Sequence, residues 1–153
     1  MIKILRISPE NKDFSVLIKY LDADLALRDG EEHSFYAQYN KTDQIKHAVV
    51  AYNTDGKPSA CGAIKEYTPD IAEIKRMYTS PENRGKGMAS EVLKALEDWA
   101  MELSYKKCIL ETGKKQPEAI RLYQKNGYSV IPNYGQYAGV KDSVCFEKLL
   151  EQK

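Results

Sequence analysis

The residues whose types and spacing can do chemistry are concentrated in one stretch, Glu73-Ile74-Lys75-Arg76-Met77-Tyr78-Thr79-Ser80-Pro81-Glu82-Asn83-Arg84-Gly85-Lys86-Gly87-Met88-Ala89. It reads as a strand, a short loop, a glycine-spaced turn and the start of a long amphipathic helix. A helix start presents backbone N–H groups without intrahelical partners, and the aligned peptide dipoles leave a partial positive charge there. Glycines at 85 and 87 let an anion come close to the main chain. The expectation is an anion site, best suited to a diphosphate.

The elements that must position this turn follow from patterning. Ile2 to Ile7 is a short apolar run and reads as a strand; Ser8-Pro9 then reads as a helix start, with Ser as cap and Pro in the first turn. Phe14, Leu17, Ile18, Leu21 and Leu25 recur at helical spacing, and Gly30 stops that helix. Glu31 to Tyr39 reads as a shorter second helix carrying His33, Phe35, Tyr36 and Tyr39. Strands are expected over Lys46 to Tyr52 and Ser59 to Tyr67, joined by an Asn53-Thr54-Asp55-Gly56-Lys57 hairpin turn, because Asp-Gly tolerates positive φ. Ile71 to Thr79 is the next strand, after the turn Thr68-Pro69-Asp70.

The main helix is expected from about Gly87 to Ser104, with Met88, Val92, Leu96, Trp99, Ala100 and Leu103 on its buried face. Lys107 to Glu111 is a strand. Pro117 to Asn126 is a helix with Pro in its first turn and Gly127 as its stop. Tyr128 to Ile131 and Ser143 to Leu149 are strands around a loop rich in Tyr and Gly. The order β-α-α-β-β-β-α-β-α-β-β predicts a single α/β domain over residues 1–153, with a mixed sheet flanked by helices.

Composition narrows the function classes. A chain of 153 residues can bury a real core. A net charge of +1 gives no electrostatic footprint for nucleic acid or a membrane surface. No apolar run approaches the ~20 residues of a spanning helix, and Met1-Ile2-Lys3-Ile4-Leu5-Arg6 lacks the regions of a signal peptide. Cys61, Cys108 and Cys145 are odd in number and widely spaced, which suits reduced thiols in a cytoplasm. His33 and His47 are the only histidines, so no metal centre is expected.

Strand, glycine turn, helix and strand also describe a dinucleotide-binding unit, in which Glu111 would hold a ribose. That fingerprint wants its glycines directly after the strand, whereas Ser80 to Arg84 intervene here. A Walker loop fails, because Met88-Ala89 follows Gly87 in place of Lys-Ser/Thr. A capped helix that binds nothing is the remaining structural alternative.

Arg84-Gly85-Lys86-Gly87-Met88-Ala89 resembles the Arg/Gln-x-x-Gly-x-Gly/Ala signature of the GNAT superfamily of acyl-CoA-dependent N-acyltransferases. Gln116-Pro117-Glu118-Ala119-Ile120-Arg121-Leu122-Tyr123-Gln124-Lys125-Asn126-Gly127-Tyr128 resembles its second signature, Asn-x-x-Ala-x-x-Leu-Tyr-x-x-x-Gly-Phe/Tyr, with Gln116 in place of Asn. The element order matches over nearly the whole chain. The resemblance implies a mostly antiparallel central sheet and acetyl-CoA as acyl donor. Main-chain N–H groups from Arg84, Gly85, Lys86, Gly87, Met88 and Ala89 would hold the diphosphate, Gln116 would add a cofactor contact, and the pantetheine arm would pair with the strand edge at Met77, Tyr78 and Thr79. An N–H near Met77 or Tyr78 would meet the oxyanion.

Two proton transfers remain: an alkylamine must lose a proton to attack, and the thiolate must gain one to leave. Tyr123, at the tyrosine of the second signature, is implied as the thiolate's proton donor and cofactor contact, although its helix face with Ala119 and Leu122 also suits core packing. Glu73, counted back from Arg84, falls where the histone-acetyltransferase branch carries its catalytic glutamate; a cross-strand ion pair is the alternative. Period-two alternation puts Glu73, Lys75, Met77 and Thr79 on one face. Glu111 is a second candidate base or an anchor for a cationic substrate. Lys75 and Arg76 could meet a substrate carboxylate or pair with neighbouring acids. His33, Phe35, Tyr36 and Tyr39 resemble the family's acceptor wall, with Tyr134 and Tyr137 opposite. The long first helix and the tyrosine loop suggest an enclosed pocket, hence a small-molecule amine before a protein amine. A homodimer is open, and a silent acyl-CoA-binding domain is the rival reading.

Overall fold

The computed structural model describes residues 2–29 and 45–150. The expected second helix with His33, Phe35, Tyr36 and Tyr39, and the Gly30 stop, lie outside the described residues. Seven strands form one sheet: β1 (Lys3–Ile7), β2 (His47–Tyr52), β3 (Pro58–Thr68), β4 (Ile71–Thr79), β5 (Lys107–Gly113), β6 (Ser129–Ile131) and β7 (Ser143–Leu149). The described helices of two turns or more are α1 (Lys12–Asp29), α2 (Met88–Glu102) and α3 (Pro117–Lys125). The spatial order is β1-β2-β3-β4-β5-β7-β6. Every adjacent pair is antiparallel except β4 with β5. A doubly wound dinucleotide fold needs a parallel sheet, so this topology removes that alternative.

Helices cover both faces. Ala48, Val50, Cys61 and Ala63 point toward Phe14, Leu17, Ile18 and Leu21 of α1. Val49, Ala51, Ala60 and Ile64 point the other way, toward Val92, Leu93 and Leu96 of α2. Burial on both faces explains why β2 is continuously apolar and not alternating. α3 packs on the α2 side through Ala119, Ile120, Leu122 and Tyr123.

Three expectations need correction. The cap of α1 is Asn11, whose Oδ1 accepts from the N–H of Asp13 at 2.9 Å and of Phe14 at 3.2 Å; Ser8 instead closes a turn before it, accepting from the N–H of Glu10 at 3.3 Å. On α2, Leu93 is buried, whereas Leu103 is 39% exposed. Trp99 is only half-buried, with the Arg6 guanidinium 4.6 Å from its ring centroid. Buried Glu97 takes a place on the inner face because it accepts from Tyr128 Oη at 2.8 Å and Lys148 Nζ at 2.9 Å.

The third correction concerns the strand at the centre of the fold. Cys61 pairs with Tyr78 and Ala63 with Lys75, so Gly62 alone faces both Arg76 and Met77. This is a β-bulge, with Arg76 in the left-handed region at φ 59°. The bulge advances the strand by one residue. Glu73 and Lys75 therefore share a face with the α1 side, whereas Met77 packs on the α2 cluster and Thr79, paired with Ala60, follows it. The uninterrupted alternation expected from period two does not hold past Lys75.

Candidate active site

β4 and β5 pair at three positions only, Ile71 with Lys107, Ala72 with Cys108 and Glu73 with Ile109. Beyond Glu73 the two strands diverge, while β5 continues against β7 to Gly113. The result is a cleft of about 550 Å³ floored by β4 from Glu73 to Thr79 and walled by β5, α3 and the C-terminal part of α1. Its far end is the turn into α2.

That turn is braced from within. A 3-10 turn, Pro81–Asn83, follows β4, and buried Asn83 donates to Ser80 Oγ at 2.8 Å. Arg84 Nε donates to the Thr79 carbonyl at 2.8 Å, tying the loop to the strand it leaves. Gly85 and Gly87 have φ of +78° and +82°, and a Cβ at either would stand in open space. The glycines are thus required by backbone conformation, and the volume beside them is free for a ligand. No side chain caps α2, so its first N–H groups face the cleft end unclaimed by a cap. A diphosphate fits this arrangement of donors and open space.

Two carboxylates face the cleft from adjacent strands. Glu73, 4% exposed, stands where β4 parts from β5, and its Oε2 accepts from Tyr134 Oη at 2.6 Å. Glu111 Oε2 accepts from Ser143 Oγ at 2.6 Å. Lys75 lies with them; its ammonium is pushed down by burial, with Glu73 and Glu111 opposing the shift. Its Nζ donates to Tyr137 Oη at 3.5 Å. Burial raises the Tyr134 phenol, and the Glu73 charge adds to it. Tyr134 therefore stays a donor that holds the Glu73 carboxylate in place.

Tyr123 comes from α3 on the opposite side of the sheet. It is 6% exposed and lines the cleft. Its ring stands 5.8 Å from Tyr128 and 6.0 Å from Phe146. Burial, then the Glu111 charge, hold its phenol well above the ordinary value. It keeps its proton at neutral pH and can donate it in a hydrogen bond to an anion formed in the cleft.

The sequence profile of the GNAT acetyltransferase family matches residues 14–128. This chain belongs to the GNAT acetyltransferase family. A Klebsiella pneumoniae structure, provisionally described as an acyl-CoA N-acyltransferase, is 31% identical with a TM-score of 0.83, over 99% of both chains. The uncharacterized N-acetyltransferase YjgM of Escherichia coli is 34% identical over 96 residues, which are 61% of this chain and 58% of that protein. The chain therefore spans about three fifths of the length of that curated relative. A GNAT family acetyltransferase from Elizabethkingia anophelis, solved with acetyl-CoA bound, shares the fold at a TM-score of 0.71 and 18% identity, over 97% of this chain and 98% of that one.

On this GNAT fold the expected residues divide into three groups. Glu73, Met77, Tyr78, Thr79, Arg84, Gly85, Gly87, Met88, Ala89, Glu111, Gln116 and Tyr123 all line the one cleft. Lys86 is exposed and Tyr134 is half-buried; neither lines it, and Tyr134 stands behind Glu73 instead. Tyr36 lies outside the described residues. Cys145 is buried opposite Glu111, and burial raises its thiol to about 11, which suits an inert thiol. Sequence reasoning gave no role to Leu21, Asp24 and Leu25 of α1 or to Arg121 and Lys125 of α3, which also line the cleft. The amphipathic stripe of α1 marked Leu21 and Leu25 as core, and nothing in their spacing shows that the stripe runs on past the sheet into a cleft.

Proposed function

We propose that the chain is an acetyltransferase that moves an acetyl group from acetyl-CoA to a primary amine, by direct attack with both substrates bound. The observation that carries this reading is the fork between β4 and β5. It gathers a left-handed glycine turn, an unpaired strand edge, a buried carboxylate and a buried phenol into one cleft. Acetyl-CoA would supply an acetyl group activated as a thioester. N–H groups from Arg84 to Ala89 would hold its diphosphate, with Gln116 beside them at the start of α3. The edge of β4 at Met77, Tyr78 and Thr79 would orient its arm.

Glu73, held by its 2.6 Å bond from Tyr134, would take one proton from the acceptor's ammonium so that the neutral amine can attack. Glu111, the alternative base, is more exposed than Glu73 and would serve as the anchor of a cationic acceptor. As the C–N bond forms and the C–S bond breaks, Tyr123 would give its proton to the departing sulfur. The phenolate left behind, made more basic by burial, would take the second proton that the nitrogen sheds as the amide forms. A small-molecule amine suits a cleft roofed by α1 and flanked by Tyr137.

The contacts of Tyr123 with Tyr128 and Phe146 also suit a purely structural ring, and with it a silent acyl-CoA-binding domain. Tyr123→Phe separates the two, because it deletes the proton and keeps the packing. Calorimetry is expected to give micromolar acetyl-CoA binding for both proteins and none for NADH, with turnover measured by thiol release down roughly 10²-fold or more in the variant. Unchanged turnover would remove Tyr123 from the mechanism. Absence of acetyl-CoA binding would sink the acetyltransferase reading.

A further inference from the structure

Among the described residues, the buried side-chain polar atoms that lack a hydrogen-bond partner are Nε and Nη1 of Arg76. The guanidinium carries five N–H donors and no acceptor. Its Nη2 donates to Asp22 Oδ1 of α1 at 2.7 Å. The donors on the other two nitrogens are unmet, on a side chain 2% exposed. An ionised group with unmet donors is among the costliest features a fold can retain. The same residue bears a second cost, a left-handed backbone that a side chain disfavours. Cys61 Sγ holds that bulge by donating to the Arg76 carbonyl at 3.4 Å. Costs of this kind cluster where a site needs them.

Arg76 lies on the floor of the cleft, on the α1 side shared with Glu73. Its neighbour Lys75 already faces the charges of Glu73 and Glu111. Asp22 is 54% exposed, so its charge is screened by water and only partly offsets the guanidinium. Arg76 lines the cleft that Asp24 and Leu25 of α1 also border, so its unmet donors are buried beside the acceptor space. What remains there is less than one net positive charge and a planar set of N–H donors. That combination suits a monoanionic carboxylate better than a phosphate dianion.

We propose that Arg76 binds a carboxylate on the acceptor, so that the substrates are amines that also carry a carboxylate, amino acids being the simplest. The inference rests on the acetyltransferase reading. A carboxylate held by Arg76 would direct the amine of the same molecule along β4 toward Glu73.

The test is thiol release with a panel of L-amino acids, each paired with its α-amide, on the wild type and on Arg76→Gln. Acetyl-CoA affinity is measured alongside by calorimetry. The acid-to-amide ratio of kcat/KM is expected to fall roughly tenfold or more in the variant, through KM of the acid, with acetyl-CoA affinity unchanged. Comparing the ratio between proteins cancels the difference in amine basicity. Arg76→Lys keeps the charge, loses the planar fork, and is expected to fall between the two; it replaces Arg76→Gln should that variant not fold. A ratio that survives both substitutions, or a wild type that uses acids no better than alkylamines, overturns the inference and leaves the acetyltransferase reading standing. Failure of the wild type to bind acetyl-CoA overturns both.

Discussion

Gly62→Ala tests the bulge that shapes the cleft. A Cβ at position 62 would lie 2.6 Å from Met77 Sδ, 2.8 Å from Leu96 Cδ1 and 3.0 Å from Val92 Cγ1. Leu96 and Val92 are fully buried and anchored in α2, so they have nowhere to withdraw. Met77 is the flexible member, only partly buried, and the space it can move into is the cleft. Overpacking of one methyl costs about 1–3 kcal/mol. In a chain of this size that lowers Tm by roughly 2–12 °C. The displaced thioether would also intrude on the proposed cofactor path, so acetyl-CoA affinity should fall with stability. Urea denaturation of Gly62→Ala, Met77→Ala and the double variant forms a cycle. Removing Met77 takes away the nearest clash, so the double variant should be more stable than the sum of the singles by about 1 kcal/mol. A Gly62→Ala protein within about 0.5 kcal/mol of the wild type, or a cycle that closes additively, would refute the claim that Met77 is held against Gly62.

Stability should fall in alkali. Burial raises the thiols of Cys61 and Cys108 to about 12 and lifts the phenols of Tyr123, Tyr128, Tyr134 and Tyr137. The folded chain thus holds these protons more tightly than the unfolded one; their contribution is complete below about pH 8.5, the unfolded thiol value, and is lost as pH rises toward the folded values. A Tm that declines steadily from pH 8.5 to 11 is expected, and a flat profile would contradict the buried environments. At α1, Asn11→Ala should cost about 0.5–2 kcal/mol in urea denaturation. Ser8→Ala should cost much less, since Ser8 serves only the preceding turn; the reverse ranking would restore Ser8 as the cap.

Much of the architecture was legible because local signals agreed with it. The bounds Ile71–Thr79 and Ser143–Leu149 coincide with the observed strands, and α3 begins at Pro117 and ends one residue before its expected last residue. Each of these has its own punctuation in Pro, Gly or a change of period. The errors lie where a competing partner was remote in sequence. The cap of α1 is an exception: Asn11 and Ser8 are both good caps with local partners, and Asn11 is the one that meets the first N–H groups of the helix. Glu97 is absent from the expected inner face of α2, because the hydrogen bonds that bury it come from Tyr128 and Lys148 in a different part of the chain. Trp99 and Leu103 continued the apolar stripe, but Trp99 ends half-buried between His47 and Arg6 and Leu103 is 39% exposed at the end of α2.

The sequence by itself determined the order of the described elements, the glycine turn at the start of α2 and the family, because each is written in residues close together along the chain. Left-handed Gly85 and Gly87, Pro117 and Gly127 act within a few bonds, so their consequences need no distant partner. Only the tertiary structure decided where β4 leaves β5, which way Met77 points and what Glu73 touches. The bulge at Arg76 is a property of two strands in register, with Gly62 making room for it, and a single strand's alternation carries no sign of it. Tyr134 reaches Glu73 from 61 positions away, and Asp22 reaches Arg76 from 54. Contacts at that separation are set by packing across the sheet, where burial gives each polar pair its worth.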